Sequence, residues 1–580
     1  MKDTSPRTGL FPSQALATLV LWLSLPLYFL QATWLHGATR APVWGQRGLV
    51  ATVSPLASEA GATILRQGGN AADAAVAVGF ALAVTWPAAG NLGGGGFALV
   101  RGQDGKSTFI DYRETAPAAA DKNFYLDAKG EVIPGASTVG YRAVGTPGTV
   151  AGMAMLHKKY GKLPWKKVLE PARRLAIEGF VMDESFVSML ESNKERLEKF
   201  PGSRHIFLKD GKGFKAGDRL VQPELGWSIT QIQRQGESAF YQGEIAQRLA
   251  KAIKKGGGVL TLDDLKNYKA VERAPLEGRF KNYQIITAPP PSSGGALILA
   301  MLGMLEKDDL EALGFGSAAY NHLLVETMKR AFADRAEWFG DPDFTQNPLQ
   351  KFLAPDYLSK RRAGINLTKT TPSQDIKPGD FSDKESTETT HYTIVDAQGM
   401  IISNTYTLNG SFGSGATADG TGILLNNEMD DFSSKPGSPN MYGLLQGDRN
   451  AIAPKKRPLS SMTPTIVLED GKPILALGSP GGPTIINSVF QVTLNTLVFG
   501  MNIQAAIDAP KFHHQWMPDR ILSEPFGINP DTKKIMQSMG HNFGDRVFQF
   551  GDVQAVFYDK KRQQWSGGSD SRHGGSVAVE

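Results

Sequence analysis

The order of apolar patterns along the chain predicts an α+β fold, with antiparallel sheet sandwiched between helices rather than a doubly wound parallel sheet. Strand patterns occupy the first part, mostly helical patterns fill the middle, and strands, helices and further strands follow residue 389. The chain has 580 residues and 41% of them are hydrophobic, so it can bury a large core.

The first part of the chain shows clear element boundaries. A strand is predicted at 48–54, and a helix at 56–67 ends at Gly68-Gly69. Asn70 is suited to cap a second helix at 71–85, which is apolar on all sides and therefore internal. Beyond it, strand patterns at 97–101 and 107–112 flank Asp104-Gly105, so this segment is predicted to form a hairpin.

The middle, from about residue 150 to 360, is predicted to be mostly helical and broken by loops. The last part is predicted to form strands at 390–395 and 401–408, and strands at 465–468 and 474–477 that pair around Asp470-Gly471. Helices are predicted at 484–499 and 503–509, and closing strands at 553–558 and ending near Trp565.

Composition excludes several kinds of chemistry. The net charge is +5 and no block of Lys and Arg is present, so nucleic acid is not an expected partner. The chain has no cysteine, which excludes disulfides, thiolate metal sites and a cysteine nucleophile. No metal or cofactor is expected.

The N-terminus has the pattern of an export signal. Lys2 and Arg7 precede an apolar run at 15–30, which is short for a membrane span of about 20 residues and fits a signal peptide. Cleavage near Ala38 is favoured over retention as an anchor. Residues 1–38 are therefore predicted to be a signal peptide or membrane anchor, which places the protein in the periplasm or outside the cell.

A threonine inside the chain has the features of a concealed N-terminus. Thr389 opens the predicted strand, and the polar run at 371–388 before it has too little apolar surface to order itself. A cut between Glu388 and Thr389 would free an α-amine with a pKa of about 7.7–8.0, which can act as a base beside the threonine hydroxyl. The plain alternative is β-branched packing at the start of a strand.

Six short motifs occur together with this threonine. They are GNLGGGGF from Gly90, DYRETAP from Asp111, TTHYTIVD from Thr389, NNEMDDFS from Asn426, RPLSSM from Arg457 and GSPGGP from Gly478. In this order they resemble the γ-glutamyltransferases (glutathione hydrolases) of the N-terminal-nucleophile hydrolase superfamily, from about Gly48 to Asp570.

The resemblance implies an αββα sandwich and a proenzyme that cuts itself before Thr389. The products would be a large subunit (39–388) and a small subunit (389–580) that together form the fold. Thr389 would then take the γ-glutamyl group of glutathione or a related compound as an ester. Water, or the amine of an amino acid or dipeptide, would receive the group.

The resemblance also implies roles for individual residues. Thr407 would hydrogen-bond the nucleophile, and the backbone N–H groups of Gly481 and Gly482 would form the oxyanion hole. Tyr442 would lie on a lid loop. The glutamyl group would be held by residues at both of its charges: Arg113, Ser460 and Ser461 at the α-carboxylate, and Asn409, Glu428 and Asp431 at the α-ammonium.

Two other functions are compatible with the same fold. A glutaryl or cephalosporin acylase would keep self-cleavage but lack a need for the acceptors at Asn409, Glu428 and Asp431. An exported binding protein would not need Thr389, Thr407 and Gly481-Gly482. Two local patterns also have simpler explanations: Gly93–Gly96 indicates close backbone packing rather than a phosphate loop, and His513-His514 has no evident third metal ligand.

Overall fold

Two stacked antiparallel sheets form the centre of the protein. The computed structural model describes residues 39–379, 390–435, 441, 448–545 and 548–580. One compact unit comprises Pro42–Glu580; the unit before it ends at Ala41 and lies almost entirely outside the described residues.

The strands of the described residues are, in chain order, β1 Val43–Gly45, β2 Leu49–Thr52, β3 Gly95–Arg101, β4 Ser107–Asp111, β5 Phe180–Val181, β6 Arg219–Leu220, β7 Val271–Arg273, β8 Leu276–Phe280, β9 Tyr283–Thr287, β10 Thr390–Val395, β11 Ile401–Thr407, β12 Thr417–Ala418, β13 Ile423–Leu424, β14 Thr465–Glu469, β15 Lys472–Gly478, β16 Phe512–His513, β17 Leu522–Ser523, β18 Gln554–Asp559, β19 Gln564–Ser569 and β20 Ser576–Val579.

Each large sheet has seven strands and mixes strands from both sides of residue 389. One sheet has the order β1-β19-β18-β15-β14-β9-β8, and the other has the order β20-β2-β10-β11-β3-β4-β7. The sheets pack against each other, with β10 and β11 facing β15 and β18. Side chains also cross the interface, since the Thr393 hydroxyl donates to the carbonyl oxygen of Gln554 at 3.0 Å.

The α-helices of the described residues are α1 Pro55–Arg66, α2 Ala71–Thr85, α3 Thr149–Tyr160, α4 Trp165–Val168, α5 Glu170–Glu178, α6 Glu184–Ser192, α7 Lys194–Glu198, α8 Pro201–Leu208, α9 Pro223–Gln235, α10 Ser238–Tyr241, α11 Glu244–Lys255, α12 Leu262–Asn267, α13 Gly294–Met304, α14 Leu310–Leu313, α15 Ala318–Trp338, α16 Leu349–Phe352, α17 Pro355–Ala363, α18 Thr484–Leu497, α19 Ile503–Asp508 and α20 Pro530–Ser538.

Helices cover the outer face of each sheet. Helices α1, α2 and α3 pack on the sheet that contains β10, while α13, α18 and α19 pack on the sheet that contains β15. The predicted α+β class and the layer order of helix, sheet, sheet and helix are therefore confirmed.

Local signals placed several element ends correctly. The Asn70 side chain accepts hydrogen bonds from the backbone N–H groups of Ala72 and Asp73, and this cap starts α2 at the predicted residue. Asp470 and Gly471 have positive φ values of 52° and 75°, as a tight hairpin turn between β14 and β15 requires.

Three parts of the prediction were incomplete or wrong. Strands β5 to β9 lie in the stretch that was predicted to be mostly helical, and β20 was not predicted. The last predicted strand was expected to end near Trp565, but β19 begins at Gln564 and continues to Ser569. Gly567 and Gly568 weaken the strand pattern there; both are needed because a Cβ atom would lie 2.5 Å from Val577 and 2.7 Å from Ile507.

Candidate active site

Several predicted site segments adjoin strand ends at one edge of the sheet that contains β10. Thr390 pairs with Tyr406, Thr407 pairs with Gly95, and Phe97 pairs with Asp111. The start of β10, the end of β11, the start of β3 and the end of β4 therefore lie side by side. As a result, Thr407 and the segment from Arg113 onward come from neighbouring strand ends.

The other sheet brings its site segments to one edge in the same way. Thr465, which follows the paired serines, pairs with Leu477 near the end of β15. Gly478 pairs with Gln554. The edges of the two sheets meet where Gly478 packs against the His391 ring, since a Cβ atom on Gly478 would lie 2.4 Å from that ring.

His391 is held as a neutral imidazole beneath this edge. Burial lowers the pKa of His391 to about 3. The Thr393 hydroxyl donates to the Gln554 carbonyl, so it must accept the hydrogen bond from His391 Nε2 at 2.9 Å. His391 Nδ1 then accepts from the Thr405 hydroxyl at 2.8 Å. This network fixes the first residues of strand β10.

The glycine run before β3 allows close backbone packing, as predicted. Cβ atoms on Gly93 and Gly94 would lie 2.1 Å from the Leu424 carbonyl oxygen and 1.9 Å from the Thr407 carbonyl oxygen. The run therefore brings the 424–425 segment and the end of β11 against the start of β3.

A buried cluster of charges follows the end of β4. The Arg113 guanidinium donates to the carboxylates of Glu428 and Asp431, and all three side chains are about 1% exposed. Arg113 also donates from Nε to the Pro458 carbonyl at 3.1 Å and from Nη2 to the Leu459 carbonyl at 3.1 Å. Residues 428, 431 and 458–459 thus converge on the guanidinium of Arg113.

This arrangement differs from the one that the resemblance implied. Arg113 was assigned to the α-carboxylate of the substrate, and Glu428 and Asp431 to its α-ammonium, but in the structure these groups pair with each other. Because Nη2 has both of its hydrogens on Asp431 and Leu459, only Nη1 has a hydrogen beyond its Glu428 contact. A substrate carboxylate that binds this guanidinium through both of its oxygens must therefore exchange one of these contacts.

A third carboxyl group belongs to the cluster, so three acidic side chains surround one guanidinium. Glu114 lies 3.7 Å from Arg113 Nη1 and is fully buried. Burial raises the pKa of Glu114 to about 7, and the Arg113 charge opposes this effect. Burial also raises the pKa of Glu428 well above its ordinary value. Burial by itself would lower the pKa of Arg113, but Glu428 and Asp431 reverse this and raise it.

Thr407 and Asn409 lie together at the end of β11. The Asn409 backbone N–H donates to the Thr407 hydroxyl oxygen at 2.7 Å, and Asn409 Nδ2 donates to the Asn427 carbonyl at 3.0 Å. Asn409 has a φ of 71°, which turns its side chain back toward the 427–428 segment. Its buried Oδ1 accepts no hydrogen bond from the described residues, so it is available to a ligand donor.

The paired serines are held by a turn before α13. The Ser460 carbonyl accepts hydrogen bonds from the backbone N–H of Ser293 at 2.8 Å and from the Ser292 hydroxyl at 3.0 Å. Ser461 Oγ accepts from Arg335 Nη2 at 2.5 Å. Ser460 and Ser461 are buried and follow directly after the Pro458 and Leu459 carbonyls on Arg113.

Gly481 and Gly482 form the turn between β15 and α18. Their φ values are 117° and 68°, which favour glycine. Their carbonyl groups accept from the N–H groups of Thr484 and Ile485, while neither glycine N–H donates to an acceptor within the described part of the chain. This turn starts three residues after Gly478, at the edge where β10 begins.

Three predicted site residues lie outside the described residues: Glu388, Thr389 and Tyr442. Their neighbours are placed. Thr390 is the first residue of β10, and its buried hydroxyl has no hydrogen-bond partner among the described residues. Met441 packs over Asn427 and Gly410 at the rim of the site.

Sequence reasoning missed two residues of this site. Glu114 was quoted within a motif but given no role, although a carboxylate next to Arg113 at a strand end was visible in the sequence. Arg335 lies in the middle of α15, and no local pattern links it to Ser461, 126 positions later.

Each of the paired histidines makes a hydrogen bond to a neighbouring polar side chain. His513 Nδ1 contacts Asn487, and His514 contacts Asp519 at 3.2 Å. Within residues 39–379, 390–435, 441, 448–545 and 548–580 there is no group of three His, Asp or Glu side chains arranged to hold a metal ion.

Comparison with known proteins gives the family. The model of the gamma-glutamyltranspeptidase family matches residues 57–580. The chain belongs to this family. A glutathione hydrolase proenzyme of Pseudomonas sp. (strain A14) is 49% identical over 509 residues, which cover 88% of each chain. The predicted family and enzyme class are confirmed.

Solved structures of the family and of a related acylase have the same fold. The gamma-glutamyltranspeptidase of Helicobacter pylori is 41% identical, with a TM-score of 0.56, and covers 59% of this chain and 97% of its own. A cephalosporin acylase of Bacillus halodurans has a TM-score of 0.84 at 28% identity and covers 94% of this chain and 98% of its own. The acylase function is the weaker alternative, because relatives at 43–49% identity are glutathione hydrolase proenzymes, whereas an acylase proenzyme of Pseudomonas sp. (strain SE83) is 37% identical.

Proposed function

We propose that the protein is a self-processing γ-glutamyltransferase and glutathione hydrolase in which Thr389 is both the processing residue and the nucleophile. The observation that carries the proposal is the buried cluster of Arg113, Glu428 and Asp431 at the strand edge where β10 begins. Such a cluster offers one cation and several anions, which suits the zwitterionic end of a γ-glutamyl group.

Maturation would use the Thr389 hydroxyl and the Glu388 carbonyl. The hydroxyl oxygen attacks the carbonyl carbon, the amide nitrogen takes up a proton, and an ester replaces the peptide bond. Water then hydrolyses the ester, releasing the Glu388 carboxylate and leaving Thr389 with a free hydroxyl and a free α-amine. The large subunit would be 39–388 and the small subunit 389–580. Both sheets contain strands of both subunits, so they would stay together.

Turnover would repeat the same attack on the γ-amide of glutathione. The α-amine of Thr389 has an ordinary pKa of about 7.7–8.0 and accepts the hydroxyl proton as the oxygen attacks. The tetrahedral intermediate collapses to a γ-glutamyl ester, and the leaving amine takes the proton. Water or the amine of an amino acid or dipeptide then releases the group.

Recognition of the glutamyl group would require a rearrangement of the charged cluster. The α-ammonium takes the carboxylates of Glu428 and Asp431 together with Asn409 Oδ1. The α-carboxylate takes the hydrogen bonds that Arg113 gives up, together with the hydroxyl groups of Ser460 and Ser461. The α-ammonium takes the place of the Arg113 guanidinium beside Glu428 and Asp431, and the α-carboxylate takes the place of these carboxylates beside Arg113. The bound site therefore keeps its charge balance.

The transition state would be stabilised at the Gly481–Gly482 turn. Its backbone N–H groups can donate to the oxyanion, and one such donor contributes about 2.7–4 kcal/mol in hydrolases of this kind. Thr407 would hydrogen-bond the nucleophile from the end of β11. Tyr442 would cover the site as part of a lid that favours transfer to an amine over hydrolysis.

We also propose that residues 1–38 direct export, with the mature protein periplasmic or extracellular. This segment lies outside the described residues. In the part of the chain that the structure describes, no helix is long and apolar enough to cross a membrane.

Substrate selectivity tests the function against the acylase alternative. The enzyme should hydrolyse a γ-glutamyl anilide far faster than a glutaryl anilide, because only the first carries the α-ammonium for Asn409, Glu428 and Asp431. Equal or faster release from the glutaryl compound would support the acylase. No release from either compound would support a binding protein.

A further inference from the structure

Arg335 connects the long buried helix α15 to the paired serines. Its side chain is about 1% exposed. Nε donates to the Ser293 hydroxyl oxygen at 3.0 Å, and Nη2 donates to the Ser461 hydroxyl oxygen at 2.5 Å. A guanidinium is planar and rigid, so these two contacts set the spacing of the two hydroxyl groups.

The first of these contacts continues to the neighbouring serine. The Ser293 hydroxyl donates its own hydrogen to the Ser460 carbonyl at 3.2 Å, and its backbone N–H donates to the same carbonyl at 2.8 Å. Thr463 fixes the next carbonyl, because its hydroxyl donates to the Ser461 carbonyl at 2.7 Å. The backbone of residues 460–461 is thus held from both sides.

Donor and acceptor rules then fix the direction of the Ser461 hydroxyl. Arginine has only donors, so Ser461 Oγ must accept from Arg335. The hydroxyl hydrogen of Ser461 therefore points away from Arg335.

Two cations flank the 458–461 segment. Arg113 donates to the carbonyl groups of Pro458 and Leu459, while Arg335 contacts Ser461. Arg113 is compensated by Glu428 and Asp431 in the same cluster. An anion bound beside Ser460 and Ser461 would therefore lie near both cations.

We infer that Arg335 is a positioning residue for the α-carboxylate of the γ-glutamyl group: it orients the Ser461 hydroxyl toward that carboxylate and adds a second positive charge behind it. This rests on the proposed function, which puts the α-carboxylate at Ser460 and Ser461. The alternative role is structural only, as a tie between α15 and the turn before α13.

A pair of substrates separates these roles. One is a γ-glutamyl anilide, and the other is the same anilide with its α-carboxylate replaced by a neutral primary amide. The ratio of their kcat/KM values measures selectivity for the carboxylate. In R335M this ratio should fall about ten- to hundredfold, because a hydrogen bond to a charged group contributes about 1.5–3 kcal/mol. The loss should appear in KM more than in kcat.

Arg330 provides a matched control on the same helix. It is also buried and pairs with Glu326 at 2.7 Å, away from the serines. R330M should leave the substrate ratio at its wild-type value even if the protein is less stable. R335K retains the charge and one donor, so its ratio should lie between those of wild type and R335M.

The outcomes distinguish this inference from the proposed function. If wild type shows no preference for the carboxylate, or S461A leaves the ratio unchanged, the proposed carboxylate site is wrong. If S461A lowers the ratio and R335M does not, only the role of Arg335 is overturned. Should R335M fail to give two-chain enzyme, an unchanged ratio in R335K overturns that role instead.

Discussion

The guanidinium of Arg113 donates a hydrogen bond to the carboxylate of Glu428 inside the buried cluster at the end of β4. These two residues were expected to bind opposite ends of the substrate. Their pairing means that Arg113 holds three buried carboxylates in place, in addition to the substrate-binding role proposed for it.

Arg113→Ala is therefore expected to affect stability as well as binding. Removing one partner of a buried ion pair costs about 3–5 kcal/mol, since Glu428, Asp431 and Glu114 lose their cation. The loss of substrate binding adds about 1.5–3 kcal/mol. Thermal unfolding and the KM for a γ-glutamyl anilide measure the two effects. The double variant R113A/E428Q should recover part of the stability, and an unchanged melting temperature in R113A would contradict the account.

The raised pKa of Glu114 predicts that the stability of the protein decreases as the pH rises. Its pKa is raised to about 7 by burial, so the folded protein binds a proton that the unfolded chain releases above about pH 4.3. The stabilising contribution is complete below the unfolded pKa and is lost as the pH rises through about 7. Glu114→Gln removes this dependence.

Relative to Glu114→Gln, wild type should lose up to about 3 kcal/mol of stability between pH 5 and pH 8.5. Melting temperatures of the two proteins across this range give the measurement. Parallel curves would show that Glu114 is ionised throughout and that its burial has little effect on its pKa.

The sequence predicted the features that depend on neighbouring residues. The cap at Asn70, the turn at Asp470-Gly471 and the segments around Arg113, Asn409 and Ser460 were all visible in local patterns. The pairing of Arg113 with Glu428, and of Arg335 with Ser461, depends on contacts between residues far apart in the chain, which no local pattern encodes. Strand β8 was missed because its exposed and half-buried residues give no continuous apolar pattern.

Gly478→Ala should disturb the edge where the two sheets meet. A Cβ atom there would lie 2.4 Å from the His391 ring, so the ring and the start of β10 must shift. Overpacking of this kind typically costs about 1–3 kcal/mol, and it should slow processing at Thr389. The rate of conversion from one chain to two on a denaturing gel gives the measurement. Replacing His391 with serine in the same protein should remove the overlap, and processing that G478A leaves unaltered would show that this contact is unimportant.

Thr389→Ala should leave a single unprocessed chain without activity, because both proposed steps, maturation and turnover, use its hydroxyl. Thr390→Ala is the matched control, since it removes the adjacent hydroxyl, which is buried and has no partner among the described residues. That variant should still convert to two chains. Normal processing of T389A would show that another group cuts the chain.

The most direct test is N-terminal sequencing of the lighter chain of purified, mature protein. Thr-Thr-His-Tyr-Thr is the expected first sequence, which places Thr389 at a new N-terminus with a free α-amine. Any other starting residue, or a chain that stays uncut while the enzyme is active, would contradict the assignment of Thr389 as the nucleophile.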